Sequence, residues 1–415
     1  MSIEFKMAWR NIWRNTRRSI LTAAAIAFAC LLLVFMLSFQ FGSYSTMINA
    51  SIKINTGHLQ IQNPAYREKQ EVQLVVTDPE RIGAVLQSLP DVAAYTFRAQ
   101  AFSLASSAER TQGVLVTGID PEHEPLVSKI KAQMRSGHYL SARDREQALV
   151  GELLARNLKV KIGDEITLLG QGRDGSIAAS VVWVKGIFST GIDDFDRAAI
   201  HIPLQTFQEI YTMEDAVHAI VVNAGDLDKV PSIKSRLQSQ IGRLYARLPS
   251  DAPRVLDWDE LMPGLRQSIQ MDLISGIVFY FILILVVAFS ILNTFLMAIF
   301  ERTREFGVLM AIGTNPARLT RVLLIESLSL TAIGILAGIA MGCAVTVYFQ
   351  VHGIDFSGSS EILSQYGITG RLYPKLSVLS ALCGPAAVLV VTFLAALWPA
   401  LKVRRLKPVE AMTHV

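Results

Sequence analysis

LISGIVFYFILILVVAFSILNTFLMAIF, residues 273–300, runs for 28 residues without a charge. An α-helix needs about 20 apolar residues to cross a hydrocarbon core about 30 Å thick. At 1.5 Å per residue this run reaches about 42 Å, so it reads as a spanning helix that tilts or projects as a stalk. Three further runs share its character, at residues 19–52, 327–354 and 376–401. A long polar stretch, taken as residues 44–271, separates the first run from the second. The pattern is one span, a large insert, then three spans.

Charge sets the expected orientation. Lys6, Arg10, Arg14, Arg17 and Arg18 precede the first run. Arg302, Arg304, Arg318 and Arg321 lie between the second and third, and Lys402, Arg404, Arg405 and Lys407 follow the fourth. All three clusters fall on one side of a four-span layout, which the positive-inside rule makes cytoplasmic. Both termini are then inside, and the insert and the loop 351–375 are outside.

Composition agrees. With 51% hydrophobic and 18% charged residues and a mean hydropathy of +0.37, the chain is too apolar for an ordinary soluble protein. Its net charge of +4 is small, and its bases sit beside the spans, which suits anionic lipid headgroups and not nucleic acid. Cys30, Cys343 and Cys383 all lie within the runs, so the insert folds without disulfides. The first run exceeds the 7–15-residue core of a cleavable signal and has no clear cut site, so it reads as an uncleaved span.

The insert reads as mixed α and β. Runs rich in β-branched residues predict strands over 58–62, 73–77, 114–118, 165–169, 180–187 and 219–223. Helices are expected over 79–88, 152–157, 204–212 and 227–241, with Asp78 and Asp226 as N-caps. Short mixed elements without a parallel βαβ series predict an α+β domain of two lobes.

Catalytic motifs are missing from the sequence. It has no G-x-x-x-x-G-K-[ST] loop to cradle ATP. Its seven histidines show no metal-ligand spacing, and the acidic knot Asp193, Asp194 and Asp196 reads as a solvated loop. Two segments on the cytoplasmic side say more. MAWRNIWR, residues 7–14, would form an interfacial helix with Phe5, Trp9, Ile12 and Trp13 on one side. ERTREFGVLMAIG, residues 301–313, leaves the second span with charges, turns apolar and breaks at Gly313. By itself it reads equally as a plain connector or as a short helix for a partner's groove. In the third span Gly334, Gly338 and Gly342 recur every four residues, which allows close backbone approach within one protomer or across a dimer seam. Glu326 would pair with Arg321 or Arg318, or snorkel to the headgroups.

These segments, with WPALKVRRLKPVEAM near the C-terminus and ALVGELLARNLKVKIGDEITL in the insert, resemble the MacB, LolC/LolE and FtsX group of permeases. GHLQIQ after the first span resembles the lipoprotein-export branch most. The resemblance spans essentially the whole chain. It implies a type VII ABC transporter permease: an α-helical membrane protein with four transmembrane helices (1+3) and a large extracytoplasmic α+β domain between the first two.

The expected segments are a cytoplasmic amphipathic helix (1–19), the first span (20–43), the MacB-like domain (44–271) and the second span with its stalk (272–300). A coupling helix (301–320), the third span (321–350), an outer loop (351–375), the fourth span (376–401) and a cytoplasmic tail (402–415) follow. The resemblance further implies a bacterial inner-membrane location and a dimer with a second permease, identical or related. It assigns Glu301, Arg304, Glu305, Phe306, Gly307, Met310 and Gly313 to a docking site for a separate cytoplasmic ABC ATPase, in two copies. ATP and Mg belong to that partner. With only residues 1–19 ahead of the first span, the ATPase is expected on another polypeptide.

Three functions stay open: extraction of lipoprotein or another amphiphile from the outer leaflet with a periplasmic carrier, MacB-like efflux of peptides or small molecules through a periplasmic adaptor, and FtsX-like signalling. For extraction, the outer halves of the first two spans are the expected acyl-chain walls. Phe35, Met36, Phe39, Ile277, Tyr280 and Phe281, with Phe279 beside them, supply Met and aromatic surface there.

Overall fold

A computed structural model describes residues 3–246, 252–355 and 371–403. Arg404, Arg405 and Lys407 of the basic tail, and most of the loop 351–375, lie outside the described residues. The chain divides into two units, one of residues 1–45, 268–356 and 371–415, the other of 46–267 and 357–370.

The first unit is helical. An N-terminal helix, Ile3–Arg14, precedes the first span, Thr16–Ser51. The second span is Pro263–Glu301, a connecting helix Thr303–Ala311 follows, and the third span is Pro316–His352. The fourth is Val378–Val403. All four spans are long and apolar enough to cross a membrane. Their common core joins Ile26, Cys30 and Leu33 of the first span to Val287 and Ile291 of the second and Val388 of the fourth. Ser38 and Ser380 pair their hydroxyls at 2.9 Å and so satisfy each other in that dry interface.

The N-terminal helix packs on the third span through Ala8 and Ile12, not through its tryptophans. Glu4, Ala8, Asn11 and Ile12 form one stripe at helical spacing. Trp9 and Trp13 lie off that stripe and are exposed, forming a ladder with Phe5 at ring distances of 6.4 and 6.2 Å. The expected aromatic face therefore splits: Ile12 turns inward and the rings face outward, as lipid anchors would.

The second unit carries, among the described residues, ten strands in one sheet. They are β1 (Leu59–Gln62), β2 (Ala94–Ser106), β3 (Thr111–Ile119), β4 (Met134–Gly137) and β5 (Gln147–Gly151). β6 (Glu165–Gln171), β7 (Ile177–Phe188), β8 (Ala199–Pro203), β9 (Ala219–Asn223) and β10 (Arg254–Asp257) complete it. Six of them close a ring, β2-β3-β8-β5-β7-β6, because β6 pairs with both β7 and β2. A ring of so few strands has a narrow interior. Ala99, Ala101 and Ala105 of β2 accordingly fill it with Val116, Leu168 and Val182. The second lobe is the sheet β10-β1-β9 with the start of β2, covered by the helices Pro79–Gln87 and Val230–Leu244.

β2 links the lobes, pairing with β9 over residues 94–98 and with β3 over 98–106. Arg98, where the two pairings meet, is buried and forks onto buried Glu124, Nε donating at 3.0 Å. Sequence pattern misses this strand because alanine is a poor strand former. It misses β5 and β8 because their residues are buried on both faces and so do not alternate. The strand expected over 73–77 is a single bridge, Val76 with Val217. Asp78 adopts a left-handed φ of 52° there and makes no side-chain cap, so the chain turns instead of extending. Asp226 does cap, its carboxylate accepting from the Asp228 amide at 3.2 Å.

Candidate functional site

The segment between the second and third spans carries Arg302, Arg304 and Glu305 within four residues. Arg302 breaks the helix, with φ −107° and ψ 6°, and the connecting helix restarts at Thr303. Gly313 ends it in a left-handed conformation, φ 95°, that a side chain would strain. Asn315 then caps the third span, its Oδ1 accepting from the Ala317 amide at 2.9 Å, with Pro316 in the first turn.

The seven expected docking residues divide by exposure. Phe306 and Met310 are 4% and 9% exposed, packed against Ile299, Leu319 and Leu323. Gly307 is buried beside them. Glu301, Arg304, Glu305 and Gly313 are exposed. This corrects the expectation that Phe306, Gly307 and Met310 belong to the docking surface. An amphipathic helix must take its apolar stripe out of water, and here the third span already covers it. The outward ridge is instead Arg304, Val308, Ala311 and Ile312.

Arg302 is the hub beneath that ridge. Its Nε donates to Glu305 Oε2 at 3.3 Å, its Nη1 to Glu326 Oε2 at 3.1 Å, and its guanidinium lies 5.5 Å from the Phe306 ring centre. Glu326 therefore pairs with Arg302, not with Arg318 or Arg321, and it also accepts from Asn11 Nδ2 at 3.2 Å. Arg318 reaches Glu4 instead, at 3.2 Å. Arg14 forks onto Glu305 at 2.9 and 3.0 Å, and Arg18 pairs with Glu301 at 2.8 Å. Partial burial alone would raise the Glu305 pKa, but the guanidiniums of Arg14 and Arg302 outweigh it and hold the carboxyl below its usual value.

The six expected substrate contacts divide between residues that pack within the unit and residues that are exposed. Phe35 stacks on Phe39 at 6.3 Å and meets Phe349 of the third span at 5.8 Å. Tyr280 donates to Gln40 Oε1 of the first span at 2.8 Å. Met36, Ile277 and Phe281 are exposed. Successive helix residues point about 100° apart, so Tyr280 and Phe281 cannot both line one wall. Sequence pattern also misses a polar knot at this depth. Gln40 Nε2 donates to Asp272 Oδ2 at 3.0 Å, and the Tyr44 hydroxyl donates to the same carboxylate. Asp272 lies one residue outside the apolar run, which hides it from hydropathy.

Gly334, Gly338 and Gly342 lie against Ile26, Cys30 and Val34 of the first span, matched turn for turn. A Cβ added at Gly338 would stand 2.5 Å from Cys30 Cβ and 2.6 Å from the Ala27 carbonyl oxygen. The stripe packs two spans of one chain.

Residues 19–240 match the MacB-like periplasmic core domain and residues 277–408 the FtsX-like permease C-terminal domain. The lipoprotein-releasing system transmembrane protein LolC of Xylella fastidiosa is 25% identical over 85% of this chain and 82% of its own length. LolE of Haemophilus influenzae is 22% identical over 75% of each chain. The pyoverdine export ATP-binding/permease protein PvdT of Pseudomonas syringae is 24% identical over 98% of this chain but 58% of its own. Among solved structures, the periplasmic region of MacB from Actinobacillus actinomycetemcomitans overlays with a TM-score of 0.38 and 14% identity, covering 53% of this chain and 94% of that one.

Proposed function

We propose a transport role for this chain, which belongs to the FtsX-like permeases that carry a MacB-like periplasmic core domain: it couples an ATPase in the cytoplasm to movement of the inserted domain outside. It is an ABC transporter permease of the Lol/MacB/FtsX type. ATP and Mg are assigned to a separate ABC ATPase in two copies. The observation that carries this reading is the connecting helix. It is braced from behind by Phe306 and Met310, while Val308 and Ile312 stand 47% and 76% exposed. A preorganised helix with an outward apolar ridge suits a partner's groove.

The protein sits in a bacterial inner membrane with both termini cytoplasmic and works with a second permease, identical or related. Closure of the ATPases draws the connecting helices together, and the first and second spans carry that motion outward. At 36 and 39 residues these helices exceed the bilayer core. The substrate is a lipoprotein or another amphiphile drawn from the outer leaflet and passed to a periplasmic carrier. The two lipoprotein-releasing relatives, matched over most of their length, support this.

Efflux of a small molecule with an adaptor is the second reading, favoured by the pyoverdine exporter that aligns with 98% of this chain. FtsX-like signalling has only the C-terminal domain match behind it. Reconstituted proteoliposomes loaded with a triacylated lipoprotein, given ATP and the copurified ATPase, test the first reading. ATP-dependent release is expected; retention of lipoprotein with export of a siderophore would favour the second.

A further inference from the structure

We propose that the N-terminal helix is a transmission arm, carrying movement of the connecting helix into the first span through a closed ring of polar contacts. The inference rests on the connecting helix being the ATPase docking element. Through the chain itself, that helix joins only the second and third spans. The first span already packs on the third along the glycine stripe, so the arm is a further route, into its cytoplasmic end.

The ring supplies one. Arg302 bonds Glu305 at 3.3 Å and Glu326 at 3.1 Å. Glu305 accepts from Arg14, and Glu326 from Asn11, both on the N-terminal helix. Asn11 and Arg14 are three residues apart and so occupy neighbouring positions on one helix face. Glu4 with Arg318 straps the far end of the arm, and Arg18, on the first span itself, pairs with Glu301 just past its near end.

Not all members are equal. The Arg14–Glu305 pair is half exposed and weak by itself. The Arg302 and Glu326 side chains are only 10% and 13% exposed, so neither tolerates loss of its partner. Arg302 serves two carboxylates from two nitrogens, a fork that lysine cannot reproduce. The arm also ends stiffly. Only Asn15 separates it from the first span, and Ser19 Oγ donates to the Ile12 carbonyl at 2.7 Å across that break. Arg302 and Glu326 are positioning residues for this relay.

Two measurements on the full-length chain in nanodiscs test it. Without any ATPase, hydrogen exchange over residues 3–22 should rise in Arg302→Lys and in Arg14→Ala, while Arg321→Ala leaves it unchanged. With the ATPase, Glu326→Gln should retain copurification but lose coupled hydrolysis by at least about tenfold. Unchanged exchange in both ring variants would overturn the relay whatever the ATPase does. Failure of the unaltered chain to bind an ATPase would overturn the docking reading instead, and exchange would still judge the arm.

Discussion

Arg302 and Glu326, on either side of the connecting helix in sequence, meet at 3.1 Å with both side chains nearly buried. A charge pair held there fixes the base of the helical unit, because each member would be costly to leave alone. The connecting helix thus has a buried, packed back and an exposed front, and the two faces should respond differently to substitution.

Phe306→Ala should loosen the connecting helix itself, at a cost of about 3 kcal/mol for a buried phenylalanine. Ile312→Asp should leave thermal stability within about 0.5 kcal/mol, as exposed positions do, yet abolish copurification of the ATPase. Melting curves and pull-downs on the two variants check this. Equal melting temperatures would contradict the burial of Phe306, and an intact complex with Ile312→Asp would remove the ridge from the interface.

The glycine stripe predicts an order. Alanine at Gly338, facing contacts of 2.5 and 2.6 Å, should destabilise most. Gly334, nearest contact 2.7 Å, should follow, and Gly342, at 3.0 Å, should be mildest. Overpacking of this kind costs about 1–3 kcal/mol. Detergent-stability assays on the three single variants would show the order; the reverse order would mean that the first and third spans do not pack this way.

Acid should weaken the insert through its buried histidines. Burial pushes His201 down to about 3 and His218 down to about 4. His218 Nδ1 accepts from the Gln100 amide at 2.9 Å and Nε2 faces the Val72 carbonyl at 3.1 Å, an arrangement that needs the neutral ring. The unfolded chain takes up these protons near pH 6.5, so stability is fully present above that pH. It falls as pH drops toward 4, by up to about 3 kcal/mol for His218. Proteolysis of the insert in the intact protein, followed from pH 7 to 4, should accelerate. His218→Gln should flatten the profile, and an unchanged slope would deny His218 this role.

Orientation is open to labelling. In a background without the native cysteines, Asp174→Cys should react with an impermeant maleimide from outside intact cells and Thr314→Cys should not. Gln365 and Thr413, the companion sites on the loop and tail, lie outside the described residues. Labelling of Thr314→Cys would invert the topology.

Photo-crosslinkers divide the expected substrate wall. At Met36, Ile277 and Phe281, which are exposed, they should trap an acylated substrate during transport. At Phe35 they should trap the third span, whose Phe349 it touches. Capture of lipid alone at all three exposed positions would discard an acyl route along these spans.

Sequence alone determined the four spans, the insert and the charged connector, because each is a matter of local composition. Hydrophobic length needs no partner to be legible. The lone glycines at Gly334, Gly338 and Gly342 were visible by spacing, but only the fold placed Ile26, Cys30 and Val34 opposite them. β2 escaped notice because a narrow ring selects small inward side chains that look unlike a strand. Phe306 looked available and is not, since a residue's apolar character is the same whether a foreign groove or its own third span covers it. Glu326 had candidate partners within one or two helical turns, yet its partners are Arg302, at the break before the connecting helix, and Asn11, on the N-terminal helix. Spacing along a helix names its faces, whereas only tertiary packing decides which of them meet.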